Sequence, residues 1–261
     1  MIVETMTHAE VYNELARDLP NLEKWMDRQY NDCRQYALKQ DRRKFPLVLV
    51  NNYTSPRRIR YGLVVALFSK KKFIHYAYIM RQTQTGKEVY LCKTYDDSKL
   101  PKAVFIPHAL KRYAERTGKD RTGEDLVRSL LLHSIDCVAS RNQQIGAKSV
   151  RYKGNMLTTL CTHEGAFLGK MEGDIFVLNT FITYDMMGGL QKEVLTPHLE
   201  AFKRGHDAAD ELILKFNNRK SLRTNQPIIK QNEKETNTER PLVGGGEGIC
   251  RACGWHIGNE R

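Results

Sequence analysis

The segment Pro107–Gly118 reads PHALKRYAERTG, and as a helix it would line its polar residues up for chemistry. His108, Lys111, Arg112 and Glu115 fall at i, i+3, i+4 and i+7, one stripe of a 3.6-residue period, with Arg116 beside it. An imidazole titrates near neutrality and can give or take a proton. Lys and Arg side chains can hold a phosphate and offset charge that develops on it. The same spacing also describes a solvated helix face with a Glu–Arg pair, on which His108 is only the first polar residue.

A second group of polar side chains follows. With a period of two, a strand at Ile175–Thr183 puts Val177, Asn179, Phe181 and Thr183 on one face, and Phe176, Leu178, Thr180 and Ile182 on the other. A strand at Ser149–Lys153 puts Arg151 and Lys153 together. If helices cover one side of such a sheet, Arg151, Lys153, Lys170, Asn179 and Thr183 share its open face. His163 and Glu164 then sit at a hairpin tip beside it. Thr and Asn are equally at home in half-exposed strands, and His163 in an ordinary turn.

These residues need elements to hold them. Pro107 suits the first position of a helix and Gly118 the residue just past its end. A second helix is expected over Gly123–Val138, capped by Thr122, with Leu126, Val127, Leu130 and Leu131 as its buried face. A four-stranded antiparallel meander follows: Ser149–Lys153, Met156–Cys161, Ala166–Lys170 and Ile175–Thr183. Short Gly-, Asn- or Asp-bearing connections join its strands.

Upstream, Pro20 separates two expected helices, His8–Asp18 and Asn21–Gln40, the second with Asn21 as N-cap. Strand-type runs at Leu47–Val50, Ile59–Phe68, Phe73–Met80, Glu88–Cys92 and Ala103–Ile106 then form a first antiparallel meander. A long helix is expected over Leu190–Asn217, and a flexible polar tail over 218–261. The chain therefore reads as α+β. N-terminal helices and a basic antiparallel sheet occupy 1–102, a helix–helix–sheet region 103–189, a C-terminal helix 190–217 and the tail the rest.

Residues Val104 to about Asp185 resemble the small nuclease domains of the barnase–EndoU–colicin–RelE superfamily, the BrnT/RelE-like toxin branch above all. The matching segments are FIPHALKRYAERTG, the helix from Gly123, and AFLGK…GDIFVLNTFIT. The resemblance implies His108 as acid/base, Arg112 or Arg116 as phosphate contacts, and Thr183 as the polar group that closes the site. It also implies a protein antitoxin as partner. No second His stands where the EndoU branch needs one. RNA carries its own nucleophile, the 2′-OH, so a base, an acid and cationic stabilisation suffice. The expectation is a metal-independent endoribonuclease with no cofactor.

Charge points to where a strand would be held. The chain carries 42 Lys+Arg against 30 Asp+Glu, net +12. From Arg42 to Lys87 there is no acid, and eleven cations: Arg42, Arg43, Lys44, Arg57, Arg58, Arg60, Lys70, Lys71, Lys72, Arg81 and Lys87. Nearly the whole excess lies in that window. Phe45, Tyr53, Tyr61, Phe68, Phe73, Tyr76 and Tyr78 are interleaved with it, and cations on the backbone with aromatics under the bases is how single strands are bound. Arg57, Arg58, Arg60 and Lys70–Lys72, in exposed turns, are the expected contacts, joined by Lys111, Arg151 and Lys153. The alternative is a non-catalytic nucleic-acid-binding protein of a phage or mobile element, or an assembly component whose basic surface meets an acidic protein partner.

No apolar run approaches the roughly 20 residues of a membrane helix. The N-terminus MIVETMTHAE lacks an apolar signal core, and scattered Cys residues fit a reducing cytoplasm. Cys250, Cys253 and His256 give three potential zinc ligands where structural zinc needs four, so no metal is expected.

Overall fold

The computed structural model describes residues 2–94, 102–118, 121–133, 138–142, 157–189, 191–193 and 195. The first element is a single helix, α1 (His8–Lys39), where two were expected. Its start is a capping box: the Glu10 N–H donates to the Thr7 hydroxyl at 3.3 Å, and the Thr7 N–H to the Glu10 carboxylate at 2.7 Å. Pro20 lies inside the helix and removes the hydrogen bond its N–H would make. The helix continues because its apolar stripe is buried on both sides of the proline: Val11 and Leu15 before it, Leu22, Trp25, Met26 and Cys33 after it. Asp18, fully buried, pins the weak point. It accepts from the Tyr61 hydroxyl at 2.9 Å and from Asn21 Nδ2 at 2.8 Å. Asn21 is thus an interior residue of α1 and not an N-cap.

The strands are β1 (Leu47–Thr54), β2 (Arg60–Leu67), β3 (Phe73–Thr83), β4 (Gly86–Thr94) and β5 (Lys102–Phe105). Then come α2 (Pro107–Thr117), α3 (Gly123–His133), β6 (Val138–Asn142), β7 (Leu157–Cys161), β8 (Gly165–Glu172) and β9 (Ile175–Thr183). Both expected ends of α2 hold: Pro107 is at its start, and Gly118 takes the left-handed conformation at its end, φ 63°.

The α+β class holds, but the two sheets expected from sequence are one. Nine strands run in the order β1-β2-β3-β4-β5-β9-β8-β7-β6. Every adjacent pair is antiparallel except β5 with β9, which is parallel in the register Lys102↔Ile175 to Phe105↔Leu178. That short parallel pair joins the two meanders. Helices cover both faces. Tyr61, Leu63, Val65 and Leu67 of β2, with Ala77, Ile79, Tyr90 and Val104, pack with α1. Val64, Ala66, Tyr78, Val89 and Phe105 pack with α2 and α3. This is why β2 reads as the unbroken run Leu63–Phe68: a strand buried on both faces shows no polar alternation.

Three further details correct the sequence reading. Helix α3 ends at His133, and Val138, the expected helix end, begins a strand instead. Asn179 is the extra residue of a bulge, since Leu168 faces Thr180 while Gly169 faces Leu178. The bulge reverses the alternation, so Phe176, Leu178 and Phe181 all enter the α2–α3 core, against the expected split. The strand expected at Ser149–Lys153 lies outside the described residues, as do the tail and the C-terminal helix apart from residues 191–193 and 195.

The Phe181 ring completes an aromatic cluster under α2. Phe167 lies 4.7 Å from Phe181 and 4.9 Å from Phe105, and Tyr113 lies 5.1 Å from Phe181, centroid to centroid. Removing one such ring costs roughly 3–5 kcal/mol.

Candidate nucleic-acid interface

Helix α2 presents its polar stripe as expected, but the stripe is largely occupied with itself. Arg112 Nη1 donates to Glu115 Oε2 at 2.9 Å, and Lys111 Nζ lies 3.9 Å from Glu115 Oε1. Both are exposed helix pairs, each worth about 0.2–0.5 kcal/mol. His108 is exposed at the start of α2, where Pro107 packs beside Gly86 of the β3–β4 turn.

Arg116 points elsewhere. Strand β5 ends opposite Leu178, so β9 runs on with an edge that no other described strand pairs, and Arg116 Nη1 donates to the Phe181 carbonyl there. That bond satisfies a backbone acceptor beside the aromatic cluster. Arg116 is also eight residues from His108, about 12 Å along the helix axis. Thr183 pairs with Gly165 across the β8–β9 ladder, and its hydroxyl, beside the Asp185 carboxylate, is the first of the groups that hold Asp185 below its ordinary range. His108 and Arg112 are therefore at the start and middle of α2. Arg116 and Thr183 are grouped around the far end of β9, with other partners.

The β7–β8 hairpin lies at that same end. The buried Tyr113 hydroxyl donates to Glu164 Oε2 at 2.8 Å, and Tyr184 donates to the Thr162 carbonyl at 2.5 Å. Burial, then the neighbouring Glu164 carboxylate, pushes the Tyr113 hydroxyl well above its ordinary value. Arg151 and Lys153, expected on the open face nearby, lie outside the described residues.

The acid-free window is divided between the two ends of β1, a strand of about 26 Å at ~3.3 Å per residue. At the far end lies the Ser55–Ile59 turn, closed by Ser55 N to the Ile59 carbonyl at 2.9 Å. There Arg57 Nη2 meets Glu14 Oε2 of α1 at 3.0 Å, and Arg60 Nη2 meets Glu124 Oε1 of α3 at 3.1 Å. The Arg57 guanidinium draws the Glu14 carboxyl down to about 2. Of the three expected contacts in this turn, only Arg58 has no ion pair among the described residues; its backbone is left-handed, φ 59°. Arg81, also in the window, is buried at 7 % exposure and bound to Glu88.

The near end differs. Leu47 pairs with Leu67, and Leu67 with Phe73, so the residues before β1 and the β2–β3 turn lie at one end of the sheet. The C-terminus of α1 joins them: Lys70 Nζ donates to the Leu38 carbonyl at 3.0 Å. A cation suits that position, because the last carbonyls of a helix are unpaired and carry partial negative charge. Seven cations meet at this pole: Lys39, Arg42, Arg43, Lys44, Lys70, Lys71 and Lys72. Asp41 is the single acid within these segments. Its side chain accepts the Arg43 N–H at 2.9 Å, and the Arg43 guanidinium stands 3.8 Å away. Arg42, Lys71 and Lys72 have no ion pair among the described residues. Lys72 Nζ sits 5.6 Å from the centre of the half-buried Phe68 ring, and Leu38 is 48 % exposed. The pole thus offers mobile cations beside apolar and aromatic surface. Sequence reasoning found Lys70–Lys72 but missed Lys39 and Arg42–Lys44 as contacts, although the run Arg42-Arg43-Lys44 was the available signal.

The described residues also hold a polar cluster with no sequence signature. His8 lies between Glu172 and Glu88, with Arg81 and Tyr90 bound to Glu88. No group of three or more His, Cys, Asp or Glu among the described residues is placed to hold a metal ion. Burial pushes the Cys33 and Cys161 thiols up to about 12, so both are poor nucleophiles. No described helix is long and apolar enough to cross a membrane.

No family model, no curated protein and no solved structure matches the chain.

Proposed function

We propose that the protein binds single-stranded nucleic acid, RNA in the first instance, at the pole formed by the α1 C-terminus, the Arg42–Lys44 segment and the β2–β3 turn. The observation that carries this reading is the convergence of seven cations on one end of the sheet, with Asp41 as the single acid of the segments that bring them. Phosphates would displace counterions from Lys39, Arg42, Arg43, Lys44, Lys71 and Lys72. Phe68, held under Lys72, would offer a base a surface to stack on.

Support for an endoribonuclease step is thinner. It rests on the resemblance of residues 104–185, on His108 and on Arg112. Arg116, another expected member, donates to the Phe181 carbonyl, and Thr183 stands beside Asp185. Binding without cleavage is therefore the favoured function.

Two measurements test it. Anisotropy of a labelled oligo(U) strand over a salt series should give tight binding that weakens steeply with salt. The Lys70→Ala/Lys71→Ala/Lys72→Ala variant should flatten that slope by about 2, at ~0.7 per phosphate. A slope that does not change sinks the assignment to this pole. RNA incubated with the protein in EDTA should stay intact, and cleavage that His108→Ala abolishes would restore the nuclease reading.

A further inference from the structure

The polar cluster under the start of α1 joins four elements through one imidazole. His8, the first residue of α1, is 16 % exposed. Its Nδ1 stands 2.8 Å from Glu172 Oε2 at the end of β8, and its Nε2 stands 3.6 Å from Glu88 Oε1 on β4. Both ring nitrogens thus face carboxylate oxygens. A neutral imidazole has one N–H and can satisfy only one of them, whereas the imidazolium has two.

The surroundings favour the cation. From β3, Arg81 Nη2 and Nε donate to Glu88 Oε2 at 2.6 and 3.1 Å, and its Nη1 donates to the Met6 carbonyl at 2.6 Å. From β4, Tyr90 donates to the same Glu88 oxygen at 2.7 Å. From β8, Lys170 Nζ lies 2.8 Å from the other oxygen of Glu172. One turn along α1, Tyr12 sits beside Tyr90, with Lys102 of β5 over its ring and Asp174 of the β8–β9 turn paired to Lys102 at 2.8 Å. On α1 itself, Glu10 is taken up by the Thr7 cap. Arg81 faces Glu88 from the side away from His8, so Glu88 is shared by two cations. Glu172 makes the shorter contact with His8 from a side chain 39 % exposed, and Glu88 the longer one from a more buried position.

We propose that His8 is a proton-operated latch: protonated, it clamps the N-terminal turn of α1 to the carboxylates of β4 and β8, and deprotonated it lets go of one of them and loosens residues 2–12.

The direction follows from the charges that face each group. The Glu88 carboxylate, 3.6 Å from the ring, raises His8 above its ordinary 6.5; burial opposes this, and Glu172 adds to it. A raised imidazole contributes stability fully present below about 6.5 and lost as pH climbs through the raised folded value. Burial alone would raise Glu88, but the facing His8 ring and bonds from Tyr90 and Arg81 outweigh it and bring the carboxyl down to about 2. That contribution is present above 4.5 and lost as pH falls toward about 2. The latch is therefore tightest in mildly acidic solution.

The test uses the full chain. The His8 ring is followed by NMR through a pH titration. Backbone amide exchange of residues 8–15 is measured at about pH 6 and about pH 8.5, corrected for intrinsic rates. The His8 midpoint should lie above 6.5, and protection should drop by roughly tenfold for each pKa unit of elevation. Glu172→Gln should lower the midpoint while leaving exchange in β2 and β3 unchanged. His8→Gln should remove the pH dependence of exchange at residues 8–15. A midpoint at or below 6.5, or protection in the native chain that does not vary with pH, overturns the proposal.

Discussion

The two ends of β1 carry similar sequence and opposite electrostatics. Arg42-Arg43-Lys44 precedes the strand and Pro56-Arg57-Arg58-Ile59-Arg60 follows it, and both lie in the same acid-free stretch. At the Arg57 end, two arginines are met by Glu14 from α1 and Glu124 from α3. At the Arg42 end, what arrives is the C-terminus of α1, which brings carbonyl oxygens and Lys39, and the segment after it adds one carboxylate, Asp41. Charge counted along a chain is therefore not charge presented at a surface. What decides is which end of which helix folds back onto each turn. A helix offers carboxylates in its first turns, like Glu14 on α1 and Glu124 on α3. It offers only partial negative charge, together with a terminal lysine, at its last turn.

The largest expected effect sets the two ends against each other. Replacing Arg42, Arg43, Lys44, Lys70, Lys71 and Lys72 by alanine should weaken oligo(U) binding on the order of a hundredfold at moderate salt, and flatten the salt slope by about 4. Arg57→Ala/Arg60→Ala should change affinity less than about threefold, since surface pairs already hold those guanidinium groups. Equal losses from the two variants would break the comparison.

The converse is a smaller gain. If carboxylates are what silence the Arg57 end, Glu14→Gln with Glu124→Gln should release Arg57 and Arg60 and raise affinity by roughly three- to tenfold, with a steeper salt slope. No gain would mean that this end is unsuited by shape and not by charge. Glu124 also bonds Arg128, a guanidinium only 5 % exposed, at 2.8 Å, so the variant's fold should be checked by near-UV circular dichroism.

Acid stability gives a third reading of the same contrast. Glu14 is depressed to about 2, by Arg57 first, so its contribution is present above 4.5 and lost as pH falls toward about 2. Urea midpoints measured over that range should fall more steeply for the native chain than for Arg57→Ala. Identical profiles would show that the Arg57–Glu14 pair does not hold in solution.

Much of this architecture is legible from local signals. Pro107 and Gly118 bound α2, and Gly86 and Gly173 mark the β3–β4 and β8–β9 turns, because those positions demand particular backbone geometry. What is hidden is non-local. The pairing of β5 with β9 joins residues about seventy apart with no turn to announce it, and it turns two expected sheets into one. Val138 continues the apolar spacing of α3, and only the ladder of Val138–Asn142 with β7 makes it the start of a strand. Asn179 looks like any strand residue until its bulge moves Phe181 to the other face. The interface shows the same limit. The cations are visible in the sequence, but Arg57 is matched by an acid 43 residues away and Arg60 by one 64 residues away. The α2 stripe was legible as a stripe, yet its Arg116 serves a backbone carbonyl that no spacing rule names.

The smallest effect separates two neighbours within the pole. Lys70 and Lys71 are adjacent in one turn, but Lys70 reaches back to the Leu38 carbonyl while Lys71 is exposed, with no ion pair among the described residues. Lys70→Ala removes a cation from the C-terminus of α1, which should cost about 0.3–1 kcal/mol of stability, read as a lower urea midpoint with unchanged slope. Lys71→Ala removes only a solvated charge, and stability should stay within ~0.5 kcal/mol of the native chain. Binding should rank them the other way. Lys71 is free to follow a phosphate, whereas Lys70 must give up its carbonyl to do so, so Lys71→Ala should lose more oligo(U) affinity, about two- to threefold. If Lys70→Ala lowers affinity more and stability less, the lysine cap on α1 is incidental, and the pole is held in place by the β1–β2–β3 ladder alone.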